Sequence, residues 1–472
     1  MSSDASGGLQ VVRLPRAQKV VRATWSLVER HPVRASFLVA VVARLIAAVC
    51  ITAFRGYLFP DESEYVVIGR LAAAGHLTPT FLSGYGETLF HAAASFMWPI
   101  VVLFKLFGGY RLVAALWAGL FGAVTAALTA VIVGRALGRG WSALAGLTVA
   151  IFPSQIVWSS VVLRESMVWA GLAGAAVGIS IFSRAKHWQS LASATLLVGV
   201  SLLSLAFLRS WAFLPAAWAA ALAVWLFRPQ RPALTRTLCA LLCVLVPLTS
   251  GLGLAGNTYV RDHGRQLGYE RSVLAVGAKS AFVHPKLVAG KGSGSTKGVP
   301  TPTSTSSSTP TRPPTTVPVT VPSAVANEAI VVPSGFGNDL RALPTGFVAF
   351  ALRPFPWQHG EGLSYDFAAV EELLYYPLYL LALVGAVAYR RRRDLIAFPL
   401  VVAVLITGIA SEAEGNLGSA FRHRDQLFWA VAFFAALGVN HVWAGWRHPR
   451  NRKEELSPVV GDDRTLTVQA SH

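Results

Sequence analysis

The sequence predicts an all-α, polytopic transmembrane helical bundle, and three observations carry that prediction. Hydrophobic side chains make up 54% of the 472 residues and charged ones only 14%, where a soluble domain carries about 25% charged. Apolar runs of about 17 to 25 residues, enough to cross roughly 30 Å of hydrocarbon as helix, recur from position 35 to position 446. Lys and Arg also gather in alternate loops, as they do on the cytoplasmic side of membrane proteins.

About ten spans are expected, at 35–54, 112–134, 141–160, 166–183, 190–208, 211–227, 237–255, 369–389, 395–411 and 427–446. The first is expected to remain as an anchor, because a long segment precedes it and no A-x-A cleavage site follows it. A further apolar stretch, 88–107, is interrupted by His91, Pro99 and Lys105 and is expected to lie along the membrane surface. Counting it as a crossing would move the Arg135/Arg139 turn outside and throw the later loops out of phase.

A net charge of +18 raises nucleic acid as a partner class, but its distribution argues against one. The segment 1–34, the turns at Arg135 and Arg139, Arg184 and Lys186, Arg228 to Arg236 and Arg390 to Arg393, and the tail 447–472 hold 22 Lys/Arg against 7 Asp/Glu. The opposite loops hold 18 against 16. The basic side is therefore expected to be cytoplasmic, with both termini on it and the chain in the plasma membrane. Cys50, Cys239 and Cys243 all fall within spans, so no exported disulfide framework is implied.

The chain then divides into a basic segment 1–34, a membrane core 35–255 with a first outer loop 55–111, an outer loop 256–368, C-terminal helices 369–446 with an outer loop 411–426, and the tail 447–472. Within the first loop, "PDESEYVVIGRLAAAG" has Pro60 and acids in a first helical turn, Val66, Val67 and Leu71 at helical spacing and Gly75 as a stop. That pattern predicts an amphipathic interfacial helix, with a second one through 88–107. Residues 290–322, "GKGSGSTKGVPTPTSTSSSTPTRPPTTVPVTVP", have no periodicity and nothing to bury, which predicts a disordered linker. Beyond it, "LRALPTGFVAFALRPFPW" predicts another interfacial helix ending in an aromatic anchor.

Ionisable residues at the outer ends of spans are costly enough to be functional candidates. Asp61 and Glu62 follow the first span, and helix N-terminal charge alone would also explain them. Arg164 and Glu165 sit at the junction of two spans, and an interface anchor is the alternative. Arg209 lies in a tight turn between apolar runs, where pairing with a lipid phosphate is the plain reading. Arg353 in "LRPFPW" and Arg422, His423 and Arg424 in "GSAFRHRDQ" complete the set. Arginine forks bind phosphate oxygens bidentately, so these residues suit a phosphate carried on a lipid, or anionic headgroups in general. Glu361, Asp366, Glu371 and Glu372 flank the eighth expected span and can balance some of these arginines. Arg44 falls in mid-span, and the sequence names no partner for it. No Gly-rich nucleotide loop, H-E-x-x-H or paired CxxC is present.

The stretch "FPDESEYVVIGRLAAAGHL" resembles the first-loop P-D-E-x-x-Y motif of the GT-C class of membrane glycosyltransferases, which includes protein O-mannosyltransferases and lipid A aminoarabinose transferases. The order after it is similar too: a surface helix ending "KLFGGYR", a span, the turn "GRALGRG", another span and "FPSQIVWSSVVLRES". The resemblance covers roughly residues 35–230. It implies a polyprenyl-phosphate-linked sugar donor and a glycan, lipid or protein acceptor. It also implies Asp61 as catalytic base with Glu62 beside it, and Tyr65, the motif's tyrosine, among the substrate-binding residues. Glu165, which would assist Asp61 in catalysis or hold a metal, stands where the family commonly has Asp. A divalent metal such as Mg or Mn stays open, with Asp61 and Glu165 as its ligands.

The function expected is transfer of a sugar to a hydroxyl acceptor on the outer face. Arg164, Arg209, Arg353, Arg422, His423 and Arg424 would bind the donor. The alternatives are a polymerase or ligase acting on lipid-diphosphate-linked oligosaccharides, and a transporter of lipid-linked sugars, for which internal symmetry is expected but not seen.

Overall fold

The computed structural model describes residues 16–54, 58–76, 90, 93–227, 336–358, 363–413 and 417–447, and among them helices are the only regular elements. In order these are α1 (Arg16–Arg30), α2 (Pro32–Ala53), α3 (Pro60–Ala73), α4 (Ala94–Phe107), α5 (Arg111–Leu137), α6 (Arg139–Ile151), α7 (Pro153–Ser159), α8 (Glu165–Phe182), α9 (Trp188–Leu208) and α10 (Ser210–Phe227). Further along the chain come α11 (Phe336–Leu352), α12 (Leu363–Ala388), α13 (Arg393–Ala413), α14 (Leu417–Arg424), a 3₁₀ turn (Asp425–Leu427) and α15 (Phe428–Arg447).

Among the described residues, seven segments are long and apolar enough to cross a membrane, and the bent pair α6 and α7 would make an eighth. This is a multi-pass membrane protein. Of the ten expected spans, 141–160 is the bent pair, 211–227 is the shorter apolar helix Trp211–Leu226, and 237–255 lies outside the described residues, as does the linker 290–322.

Within the 88–107 stretch, Ala94–Phe107 form α4, whose 14 residues reach about 21 Å at 1.5 Å per residue, short of the roughly 30 Å a crossing needs. It packs on α3 through Gly69, where a Cβ would stand 3.1 Å from the Phe104 ring. The edge-on contact of Tyr65 with Phe96 adds to that interface. The buried face of α3 is therefore Tyr65, Val66, Ile68 and Ala72, rather than the Val66, Val67 and Leu71 stripe expected; Val67 is exposed. The helix does end where the glycine suggests. Gly75 takes φ +86°, its N–H donates to Ala72 O, and the His76 N–H donates to Leu71 O. This is a Schellman motif, in which a residue without Cβ turns the chain left-handed and satisfies the last carbonyls.

The break between α6 and α7 bends the pair by 56°. Pro153 has no N–H to give and holds Phe152 extended, at φ −64° and ψ 129°. Carbonyls freed inside an apolar bundle need donors from protein, and Arg44 supplies them. Its Nη1 donates to Ala150 O at 3.0 Å and Ala40 O at 3.2 Å, its Nη2 to Gln155 O at 3.3 Å, and its Nε to Ser159 Oγ at 2.7 Å. Gly122 on α5 makes the room, since a Cβ there would fall 2.4 Å from Arg44 Nε. These are the partners of Arg44 that the sequence could not name.

The basic turns gather at one end of the bundle. Arg184 pairs with Asp394 at 3.0 Å, also donates to Arg135 O, and Arg392 meets the same Asp394. The acids of α3 stand at the other end, since α2 leads from one to the other.

Arg44→Met should lower the unfolding temperature of the purified protein markedly, because each lost charge-assisted bond counts about 1.5–3 kcal/mol. Arg44→Lys should recover only part of the loss, since an ammonium cannot span the same set of acceptors.

Candidate functional site

Four chain segments meet at the end of the bundle that carries α3. Pro60 at the first position of α3 has a fixed φ suited to a helix start, and it sets Asp61 and Glu62 into the first turn. Glu165 opens α8, behind Arg164 at the cap position. Arg209 sits in the one-residue joint between α9 and α10, with extended backbone. Arg422 comes from α14, more than 350 positions from Asp61.

These groups form an alternating chain of charge. Arg422 Nη1 donates to Asp61 Oδ2 at 2.8 Å, Arg422 Nε stands 3.4 Å from Glu165 Oε1, and Arg209 Nη2 reaches the same oxygen at 3.0 Å. Arg164 Nη1 donates to Leu208 O at 2.8 Å, tying the start of α8 to the end of α9. Burial presses the Arg209 guanidinium down to about 10 while Glu165 pulls it back up, so it is charged at neutral pH. Its Nε and Nη1 are buried without a hydrogen-bond partner among the described residues. Burial likewise raises the Tyr65 phenol, which keeps it a neutral donor. His423 packs its ring against Trp211, 5.3 Å between centroids, and the Arg209 guanidinium lies over the same indole at 5.4 Å.

Asp61 and Glu62, adjacent in sequence, occupy opposite environments. The Asp61 side chain is 46% exposed, whereas that of Glu62 is at 0%. Glu62 accepts Arg111 Nε at 2.7 Å and Nη2 at 2.8 Å, a bidentate fork, and also the N–H groups of Leu58 and Val162. The Glu62 carboxylate thus clamps α3 to α5 and to the segment before α8. It is enclosed by its own donors, and the geometry suits positioning rather than the base chemistry expected of it beside Asp61. Next along, burial and then the charge of Asp61 raise the pKa of Glu64.

Two expected donor-binding arginines are not brought here. Arg424 faces into the bundle, ion-paired with Glu372, while its Nη1 donates to the carbonyls of Phe350, Ala351 and Arg353. Its guanidinium also covers the rings of Tyr375 and Phe421. Arg353 lies over the Phe355 ring. Residues 422–424 are helical, so Arg422 and Arg424 point to different sides. Because α12 begins at Leu363, Glu371 and Glu372 lie inside it rather than flanking it. Glu361 lies outside the described residues.

The structure also adds a buried group that sequence reasoning does not single out. Asp425 in the 3₁₀ turn accepts Ser154 Oγ at 3.0 Å and the hydroxyl of Tyr375, and Gln155 Nε2 donates to its carbonyl at 3.0 Å. The sequence places 411–426 in an outer loop, yet Asp425 and Gln426 are buried. An acid directly ahead of the apolar run from Leu427 is the signal that could have found it.

Among the described residues no group of three or more His, Cys, Asp or Glu is arranged to hold a metal ion. Asp61 and Glu165, the pair named for one, both contact Arg422, so a divalent ion between them would face a guanidinium. The donor set does not fit a metal. No protein-family model, curated protein or solved structure matches this chain.

Glu62→Gln should destabilise the protein by about 3–5 kcal/mol, the usual loss when one partner of a buried pair is removed. Asp61→Asn should cost no more than about 1 kcal/mol, as for half-exposed pairs. Chemical denaturation of the two purified variants checks both.

Proposed function

We propose that the protein is a membrane glycosyltransferase of GT-C type that moves a sugar from a polyprenyl-phosphate donor to a hydroxyl acceptor on the outer face of the plasma membrane. The observation that carries this reading is the chain Asp61, Arg422, Glu165 and Arg209, in which a half-exposed carboxylate is linked through the partly exposed Arg422 to the buried Arg209.

In this reading Asp61 takes the proton of the acceptor hydroxyl as its oxygen bonds to the anomeric carbon of the sugar. The bond from that carbon to the phosphate oxygen breaks, and the phosphate leaves with the electron pair. Arg209 turns its two unpartnered nitrogens to the departing charge, and Arg422 adds a second cation. Glu165 holds both arginines in place from beneath, and Glu62 fixes the turn that carries Asp61. Arg164 completes the electropositive wall, His423 backs it by packing on Trp211, and Tyr65 supports it from α3.

The density of cations around a single exposed acid also favours a second reading. A polymerase or ligase using a lipid-diphosphate oligosaccharide would depend on Arg422 and Arg209 more than on Asp61. The transporter reading stands apart from both, because a transporter forms no glycosidic bond.

With purified protein and polyprenyl-phosphate sugars, Asp61→Asn should reduce transfer by about 10²–10⁴-fold, the range for loss of a general base. Full transfer in both Asp61→Asn and Glu62→Gln would overturn the assignment. Loss on Arg422→Ala with retention on Asp61→Ala would favour the diphosphate reading.

A further inference from the structure

The buried cluster beneath the site has an unbalanced charge. Glu371 and Glu372 on α12 and Asp425 in the 3₁₀ turn bring three carboxylates to the start of α7, each no more than 2% exposed. One guanidinium is paired with them, that of Arg424 with Glu372. Arg44 lies on the far side of α7, and its donors go to Ala40, Ala150, Gln155 and Ser159 instead. Glu371 and Asp425 are left sharing one neutral residue. The Ser154 N–H donates to Glu371 Oε1 at 2.6 Å, and the Ser154 hydroxyl donates to Asp425 Oδ1 at 3.0 Å.

Both carboxylates therefore sit against the backbone nitrogen and side-chain oxygen of the same serine, and the charge of Asp425 acts directly on Glu371. Tyr375 adds a hydroxyl to Asp425 Oδ1, and Tyr379 packs beside Tyr375. The second oxygen of each acid, Glu371 Oε2 and Asp425 Oδ2, is buried with no hydrogen-bond partner among the described residues. So is Oε1 of Gln155, whose amide nitrogen donates to Asp425 O. Unmatched acceptors on two adjacent acids, in an interior that penalises uncompensated charge, call for a hydrogen between them.

We propose that Glu371 and Asp425 form a proton-binding site inside the bundle, one proton being held between their unpartnered oxygens. One proton halves the excess of negative charge that three carboxylates hold over the single Arg424 guanidinium. It also turns two orphaned acceptors into a donor and an acceptor. Losing it would set two like charges against each other across Ser154, one helical turn from Arg422, so the proton belongs to the lock that holds the 3₁₀ turn on α7. The site does not depend on the reaction proposed above.

Infrared spectroscopy of the purified full-length protein in lipid tests this without any activity assay. At neutral pH the wild type should show the carbonyl stretch of a protonated carboxyl group, shifted in heavy water. Glu371→Gln and Asp425→Asn keep the shape and hydrogen bonds of the protonated acid, so both should fold, and each should abolish the band because the remaining acid no longer has to share. Absence of the band in wild type, or its survival in either variant, would overturn the proposal.

Discussion

A helix broken inside a lipid-embedded bundle must have its loose carbonyls and N–H groups met by protein, and the break at Phe152–Pro153 is the point on which the rest of this structure depends. Arg44 takes the carbonyls from one side, while Glu371 and Asp425 take the N–H and hydroxyl of Ser154 from the other. That anchoring places the residues on the C-terminal side of the break. Val162 reaches the Glu62 carboxylate, and Glu165 arrives beneath the arginines. The site opens outward at Asp61 while its foundation is buried, and the same short stretch belongs to both.

The segment Arg422 to Asp425 joins the two levels. Arg422 turns outward to Asp61 and Glu165, His423 lies against Trp211, and Arg424 and Asp425 turn into the bundle toward Glu372 and Ser154. A helical stretch with charges at successive positions divides them between faces, so one short element presents a guanidinium to the site while its neighbours fasten it down. The N-terminal helices contribute Asp61 and Glu165 and the C-terminal helices contribute Arg422, which makes the site a junction between two halves far apart in sequence.

Much of the fold was legible in the sequence because its signals are local. Length of apolar run and the pair Pro60 and Gly75 around α3 each report on a few neighbouring residues, and each has a counterpart in the helices observed. The candidate site was legible as a set of ionisable residues at span ends, since such residues are costly in any membrane helix. What the sequence could not supply was direction. Asp61 and Glu62 have the same local chemistry, and only Arg111, 49 positions from Glu62, separates the enclosed acid from the open one. Arg422 and Arg424 are likewise equivalent until Glu372 claims the second. Arg44 had no visible partner because its acceptors are backbone carbonyls at a bend, which no residue type announces.

The central claim is that Asp61 and Arg422 act as one unit in glycosyl transfer, and a double-mutant cycle in transfer activity tests it most directly. Purified wild type, Asp61→Asn, Arg422→Gln and the double variant would be compared with one polyprenyl-phosphate sugar and one acceptor. Residues that work as a unit are strongly non-additive, so the double variant should lose about as much activity as the more damaging single one. Losses that multiply, or single variants with unaltered transfer, would contradict the account.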